Sequence, residues 1–183
     1  MLSGLRKPQK TAVFISGSGS TLQSLLEMQH QFEIALVVSQ RKNAYGLIKA
    51  KRFGRSTLVL EKNINYDELH QTLLDYRIER ILLAGFLKLI PESFVNLWKG
   101  RIVNIHPSLL PQYPGLDSAK RSWLEKSQMG VSIHFVTKDM DEGKLFLQQS
   151  SLKQVGNVEY SEAEVLLRRT EQHLLRELTL RWN

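Results

Sequence analysis

Short apolar runs of strand length alternate with helix-patterned segments along most of this chain, and that alternation restricts its fold more than any other feature. Residues 11–15, 33–39, 56–60 and 80–84 are rich in Val, Ile and Leu and too short for buried helices. Between them, Leu22, Leu25 and Leu26 recur at helical spacing over residues 21–28, and residues 44–53 and 66–76 are patterned as helices too. Strands that follow one another through helices pair in parallel, because the crossover brings the chain back to the end of the sheet where it began. The expected fold is therefore α/β, with a doubly wound, mostly parallel sheet. Pro91 suits the first turn of another short helix, the apolar run at 101–103 gives a strand ending at Asn104, and residues 117–126 read as helical. From Met129 the period changes: Val131, Ile133 and Phe135 alternate with Ser132, His134 and Val136, and residues 144–151 form another strand. These last strands are expected to be antiparallel. A long C-terminal helix follows, opened by Ser161 and Glu164 in capping-box spacing.

With 183 residues, no internal repeat and no Gly/Ser linker, the chain reads as one domain over residues 11–183 behind a basic flexible tail, residues 1–10. No apolar stretch approaches the ~18 residues that span a bilayer, so no membrane partner is expected. The absence of cysteine excludes disulfides, thiolate metal sites and a Cys nucleophile, and fits a cytoplasmic protein. The net charge of +7 is scattered over Arg41-Lys42, Lys49, Lys51-Arg52, Lys120-Arg121 and Arg168-Arg169, with no nucleic-acid module. Such a field attracts small anionic substrates rather than nucleic acid.

Residues 103–116, Val-Asn-Ile-His-Pro-Ser-Leu-Leu-Pro-Gln-Tyr-Pro-Gly-Leu, say most about chemistry. Alternation sets Asn104 and His106 on one side of the extended chain, one an amide donor and the other a side chain that titrates near neutrality. Pro107, Pro111 and Pro114 exclude a helix after them, so the pair stands at a strand end beside a long ordered loop, where open α/β sheets place their sites. Capping of loop carbonyls is the plain alternative. Gly17-Ser18-Gly19-Ser20-Thr21, between the first strand and the first helix, permits a tight turn whose helix N–H groups favour an anion. It is neither a dinucleotide fingerprint nor a Walker loop, and a capped turn would also account for it. No His/Asp/Glu set has convincing metal-ligand spacing, and His30, His70 and His173 read as surface or packing residues. Ser108 and Ser132 lack a hydrolase nucleophile's elbow.

Asn104-Ile105-His106-Pro107-Ser108-Leu109-Leu110-Pro111, followed by Tyr113-Pro114-Gly115-Leu116, closely resembles the motif of the folate-dependent formyltransferases. Within that family it is most similar to the members that act on glycinamide ribonucleotide in purine synthesis. The resemblance spans roughly residues 11–180 and implies the family's Rossmann-like fold. It implies formyl transfer from 10-formyltetrahydrofolate to the amine of glycinamide ribonucleotide, with no metal, by a monomer or homodimer whose partners are small molecules. Asn104, His106 and Asp141 would be catalytic, Asp141 being marked by the family's match to residues 134–141 and holding His106 protonated. Gly19, Ser20 and Thr21 would bind the substrate phosphate, Thr21 standing where the family usually has Asn. Leu87, Lys88, Leu89 and Ile90, with Asn104, would hold the folate, Lys88 replacing an Arg. His134 and Arg169 are expected to support the site.

The chain also departs from the family pattern. Glu142-Gly143-Lys144 replaces Gly-Gly-Pro after Asp141, as in the similar formyltetrahydrofolate hydrolases; Asn63-Ile64-Asn65 lacks an Arg; and Gln172-His173 replaces Glu-His. Hydrolysis, with water as acceptor, or transfer to another small amine is the alternative activity, and a non-enzymatic anion-binding module a remote one. Methionyl-tRNA formyltransferases resemble the chain less, usually having Arg-Gly where Tyr113-Pro114-Gly115 stands.

Overall fold

The layout grows outwards from β1 (Gln9–Ile15), whose residues from Thr11 onward are buried. The computed structural model describes residues 8–28, 32–152 and 156–182. β1 pairs in parallel with β2 (Phe32–Ser39) on one side and β4 (Arg80–Leu83) on the other, β2 carries β3 (Ser56–Val59), and β4 carries β5 (Ile102–His106). β6 (Met129–Phe135) and β7 (Leu145–Leu152) complete the sheet in antiparallel pairing, giving the order β3-β2-β1-β4-β5-β6-β7. The mixed sheet is the one the alternating pattern predicts.

Six helices cover it: α1 (Ser20–Glu27), α2 (Tyr45–Arg52), α3 (Tyr66–Asp75), α4 (Glu92–Leu97), α5 (Ser118–Leu124) and α6 (Tyr160–Arg181). Strand alternation divides the core in two. Val13, Ile15, Leu82, Val103 and Ile105 face α1, α2 and α6, packing on Leu25, Leu47, Leu174 and Leu178. Ala12, Phe14, Ile81, Leu83 and Ile102 face α3 and α4, packing on Leu69, Leu73, Phe94 and Trp98. His70 belongs to this second layer as a packing residue, accepting a 3.1 Å bond from the Trp98 indole N–H, while His173 is exposed. Among the described residues no helix is long and apolar enough to cross a membrane.

Several element ends differ from the sequence reading. β1 begins at Gln9 rather than residue 11; residues 1–7 of the expected tail, and His30, lie outside the described residues. β5 continues to His106 instead of stopping at Asn104, because β6 supplies partners across it, Asn104↔His134 and His106↔Ser132. Pro91 is the N-cap of α4 rather than a residue of its first turn. No capping box opens α6: the N-cap is Glu159, without a side-chain cap bond. Tyr160 instead stacks edge-on against Trp123 at 5.4 Å, and Glu164 bonds the Tyr160 side chain.

The strand order reverses between β1 and β4, so the turns after these two strands flank an open crevice at their C-terminal ends, the usual ligand position in such sheets. Gly19 in the first turn has φ +65°, and a Cβ there would stand 2.6 Å from the Gly46 Cα at the start of α2. Both backbone conformation and close approach therefore demand glycine. Gly19→Ala is expected to cost on the order of 2–4 kcal/mol in urea denaturation. An unchanged unfolding midpoint would show that neither constraint matters.

Candidate active site

Antiparallel register makes Asn104 of β5 and His134 of β6 neighbours. The Asn104 Nδ2 lies 3.2 Å from His134 Nε2 and donates to the Asp141 Oδ1 at 3.3 Å. Asp141 enters from the turn after β6 with φ +57°, a left-handed conformation that Asp tolerates better than most residues. Its Oδ2 accepts a 2.7 Å bond from the Gly115 N–H and lies 3.4 Å from His106 Nδ1, while Oδ1 lies 3.4 Å from His134 Nε2. On their far sides, His106 Nε2 meets the Tyr113 carbonyl at 2.8 Å and His134 Nδ1 the Phe135 carbonyl at 3.0 Å. A carbonyl only accepts, so those two nitrogens carry protons and each ring is turned with its other nitrogen towards the carboxylate. Gly143 allows this turn to close: a Cβ there would collide with the Phe135 carbonyl. The second Gly of the family's Gly-Gly-Pro is thus kept for a packing reason. Within this tripeptide the departures are Glu142 and Lys144, both exposed.

The electrostatics follow from this enclosure. Burial pushes the Asp141 carboxyl up, but the His134 hydrogen bond, the Gly115 N–H and the two neighbouring rings outweigh it and hold its pKa at about 2. His106 goes the other way from the sequence expectation. Burial is the largest influence and lowers its pKa below the ordinary imidazole value. The Tyr113 carbonyl and Asp141 raise it without making up the loss, and His134 and Arg121 depress it further. Asp141 does favour the charged ring, as expected, but it does not keep His106 protonated at neutral pH.

Asn104, His106, His134 and Asp141 line the inner part of a cleft of about 250 Å³. Its apolar walls come from Leu83, Ile90 and Val136, and Leu87, Lys88 and Leu89 stand exposed along its rim. The glycine turn is not among the lining residues; Ser16 joins it to the cleft, its Oγ accepting the Leu87 N–H at 2.9 Å. Gly19 is buried, Ser20 exposed, and the Thr21 side chain bonds Glu171 of α6. Burial raises the Glu171 pKa, with Thr21 and Arg168 opposing. Arg169 is exposed on α6. Sequence reading missed Glu171, whose acidity at a helix–helix contact no local pattern marks, and the Gly115 amide, although Gly115 lies in the motif. Where the family's Arg is missing, Asn65 caps α3 by accepting from the Asp67 and Glu68 N–H groups at 3.1 Å each. Among the described residues, no group of His, Asp and Glu is arranged to hold a metal ion.

An open α/β sheet with an Asn/His/carboxylate cluster at the inner end of an apolar cleft has the parts that a group-transfer site requires. Residues 9–173 match the model of the formyl transferase family, and the chain belongs to that family. It is 34% identical over 183 aligned residues to the phosphoribosylglycinamide formyltransferase of Escherichia coli, covering 93% of this chain and 84% of that one. The trifunctional purine biosynthetic protein adenosine-3 of Drosophila melanogaster is 38% identical over 162 residues, 81% of this chain; the chain spans only 12% of that much longer relative. The phosphoribosylglycinamide formyltransferase of Streptococcus pneumoniae superposes with a TM-score of 0.86 at 30% identity, over 96% of this chain and 99% of that one.

The two influences on His106 separate experimentally. NMR titration is expected to place its midpoint below the ~6.5 of an unperturbed imidazole. In Asp141→Asn, which removes the charge and keeps the shape, the midpoint should move lower still. A midpoint above 6.5, or an unmoved one in the variant, would contradict this balance of burial and charge.

Proposed function

We propose that this chain transfers a formyl group from 10-formyltetrahydrofolate to the amine of glycinamide ribonucleotide, as a phosphoribosylglycinamide formyltransferase of purine biosynthesis. The observation that carries the proposal is the convergence of Asn104, His106 and Asp141 at the inner end of an apolar cleft. The cleft also fits the donor. Leu83, Ile90 and Val136 give flat apolar walls, and the peptide groups of residues 87–90 and 137–141 can pair with a heteroaromatic edge. Lys88 at the rim offers a positive charge for a folate carboxylate. When bound, the donor supplies an electrophilic formyl carbonyl whose oxygen gathers negative charge as the amine attacks; the bond from that carbon to the folate nitrogen then breaks, and the proton lost by the amine goes to the leaving nitrogen.

From one face of β5, Asn104 provides an amide donor for that oxygen and His106 a positive charge beside it once the ring is protonated. His106 is largely neutral at rest, so its charged form is favoured only when negative charge develops beside it in addition to Asp141. That makes the interaction stronger in the transition state than in the resting site, which is the condition for lowering a barrier. A carboxylate held at about 2 is a poor proton acceptor at neutral pH, so Asp141 acts through its charge on His106 and through its hydrogen bonds to Asn104, the Gly115 N–H and His134. The glycine turn, with Gly19, Ser20 and Thr21 at the start of α1, takes the acceptor's phosphate, and the N-terminus of that helix favours the anion. His134 and Arg169 support the site, and the protein works on these small molecules in the cytoplasm as a monomer or homodimer.

Purified protein given 10-formyltetrahydrofolate should release the folate product only when glycinamide ribonucleotide is present, and the formylated ribonucleotide should accumulate. Release at the same rate without the ribonucleotide, with formate as product, would replace transfer by hydrolysis. Asn104→Ala and His106→Ala should each fold normally and lose on the order of 10²-fold or more in turnover, as oxyanion donors do. Near-normal turnover in either variant would remove that residue from the reaction.

A further inference from the structure

A second cavity, of about 490 Å³, opens on the other face of the sheet and at its other end. Alternation aims Gln9 of β1, Arg80 of β4 and Phe135 of β6 into the same space, on the α6 side opposite Asn104 and His106, and Arg101, just before β5, lines its edge. Arg80 is only 8% exposed and feels the charge of the adjacent Glu79, yet among the described residues no carboxylate makes a direct ion pair with it. Its guanidinium is stacked over the Trp182 ring at 4.9 Å. The neighbouring Glu79 lines the same cavity and acts on Arg80 through its charge, but its carboxylate bonds the Lys10 N–H at 3.0 Å rather than the guanidinium. Arg101, held over Trp98 at 4.6 Å and bonded to the Leu97 carbonyl at 2.8 Å, lines the same cavity, as does Arg181, which is paired with Glu177. Opposite in kind, the Gln9 Oε1 is buried with no hydrogen-bond partner. Phe135 and Phe146, edge to face at 5.6 Å, form an apolar wall.

Clamping of the C-terminal helix by the Arg80–Trp182 stack would explain the ring contact alone. It leaves unexplained why, among the described residues, a buried arginine has no direct ion-pair partner, a second arginine stands beside it and an acceptor has no donor, all at one cavity. We propose that this cavity is a binding site, separate from the catalytic cleft, for a small hydroxylated organic phosphate. The Arg80 fork, pre-oriented by the Trp182 ring, takes the anionic oxygens with Arg101. A ligand hydroxyl donates to the Gln9 Oε1, and the two phenylalanines cover the carbon skeleton. The inference does not depend on the reaction carried out in the cleft.

The test is an amide NMR titration of the full chain with glycerol 3-phosphate, with inorganic phosphate and uncharged glycerol alongside. Saturable shifts are expected at Gln9, Arg80, Gly100, Arg101 and Phe146 and at the Trp182 indole, tightest for glycerol 3-phosphate and absent for glycerol. Anion bound at the glycine turn would shift Gly17 to Thr21 instead, so the two sites report separately. Arg101→Ala, at an exposed position, should weaken the first set about tenfold or more and leave turnover unchanged. Arg80→Lys, which keeps the charge and loses the fork, should do likewise; if it fails to fold, Arg101→Ala decides alone. Shifts confined to the glycine turn or the cleft, or unaltered affinity in Arg101→Ala, would overturn the proposal.

Discussion

One carboxylate organises the candidate site. Asp141 reaches three segments at once: the Gly115 amide of the proline-rich loop, Asn104 and His106 on β5, and His134 on β6. Contacts to an ionised group are roughly twice as strong as neutral ones, and here they more than offset the burial of a charge. The depressed pKa of about 2 is the sum of those contacts expressed as acidity. The carboxylate therefore fixes the ring orientations and closes the loop over the strand end. The close approach of Gly143 to the Phe135 carbonyl places Asp141 where it can do so.

The fold brings these segments together by two different rules. Parallel winding from β1 outwards leaves a crevice at the β1/β4 reversal, with the glycine turn on one side and the chain after β4 on the other. The Ser16 to Leu87 hydrogen bond ties these two rims, so the candidate phosphate and folate segments are held at a fixed offset. The antiparallel extension does something a purely parallel sheet could not. It sets His134 directly across from Asn104 and returns the chain in a tight turn that delivers Asp141 to the same spot. Catalytic geometry in the proposed reaction thus depends on the change of strand direction at β6 as much as on the parallel core.

Much of this was legible in the sequence. Apolar runs and leucine spacing located the strands and most helices to within a few residues, because burial on both sheet faces leaves a strong compositional mark. Asn104 and His106 were placed on one side by alternation alone. Non-local effects were not legible. β5 runs past Asn104 only because β6 pairs with it, and the start of α6 follows the Tyr160–Trp123 contact rather than the local capping pattern. The charge of His106 could not be read either. The family resemblance marked the carboxylate that raises its pKa, but the burial that lowers it more comes from the whole fold. Arg80 and Gln9 drew no attention in the sequence, since an arginine opening a strand looks like any solvated charge until its surroundings are known.

If Asp141 works through the residues it holds, its contribution and theirs are not independent. A double-mutant cycle on turnover with Asp141→Asn and His106→Ala tests this most directly. We expect strong non-additivity, the double variant turning over little more slowly than the worse single variant, as for residues that act as one unit. Full additivity, with the two losses multiplying, would contradict the central role assigned to Asp141 and leave the two residues as separate contributors.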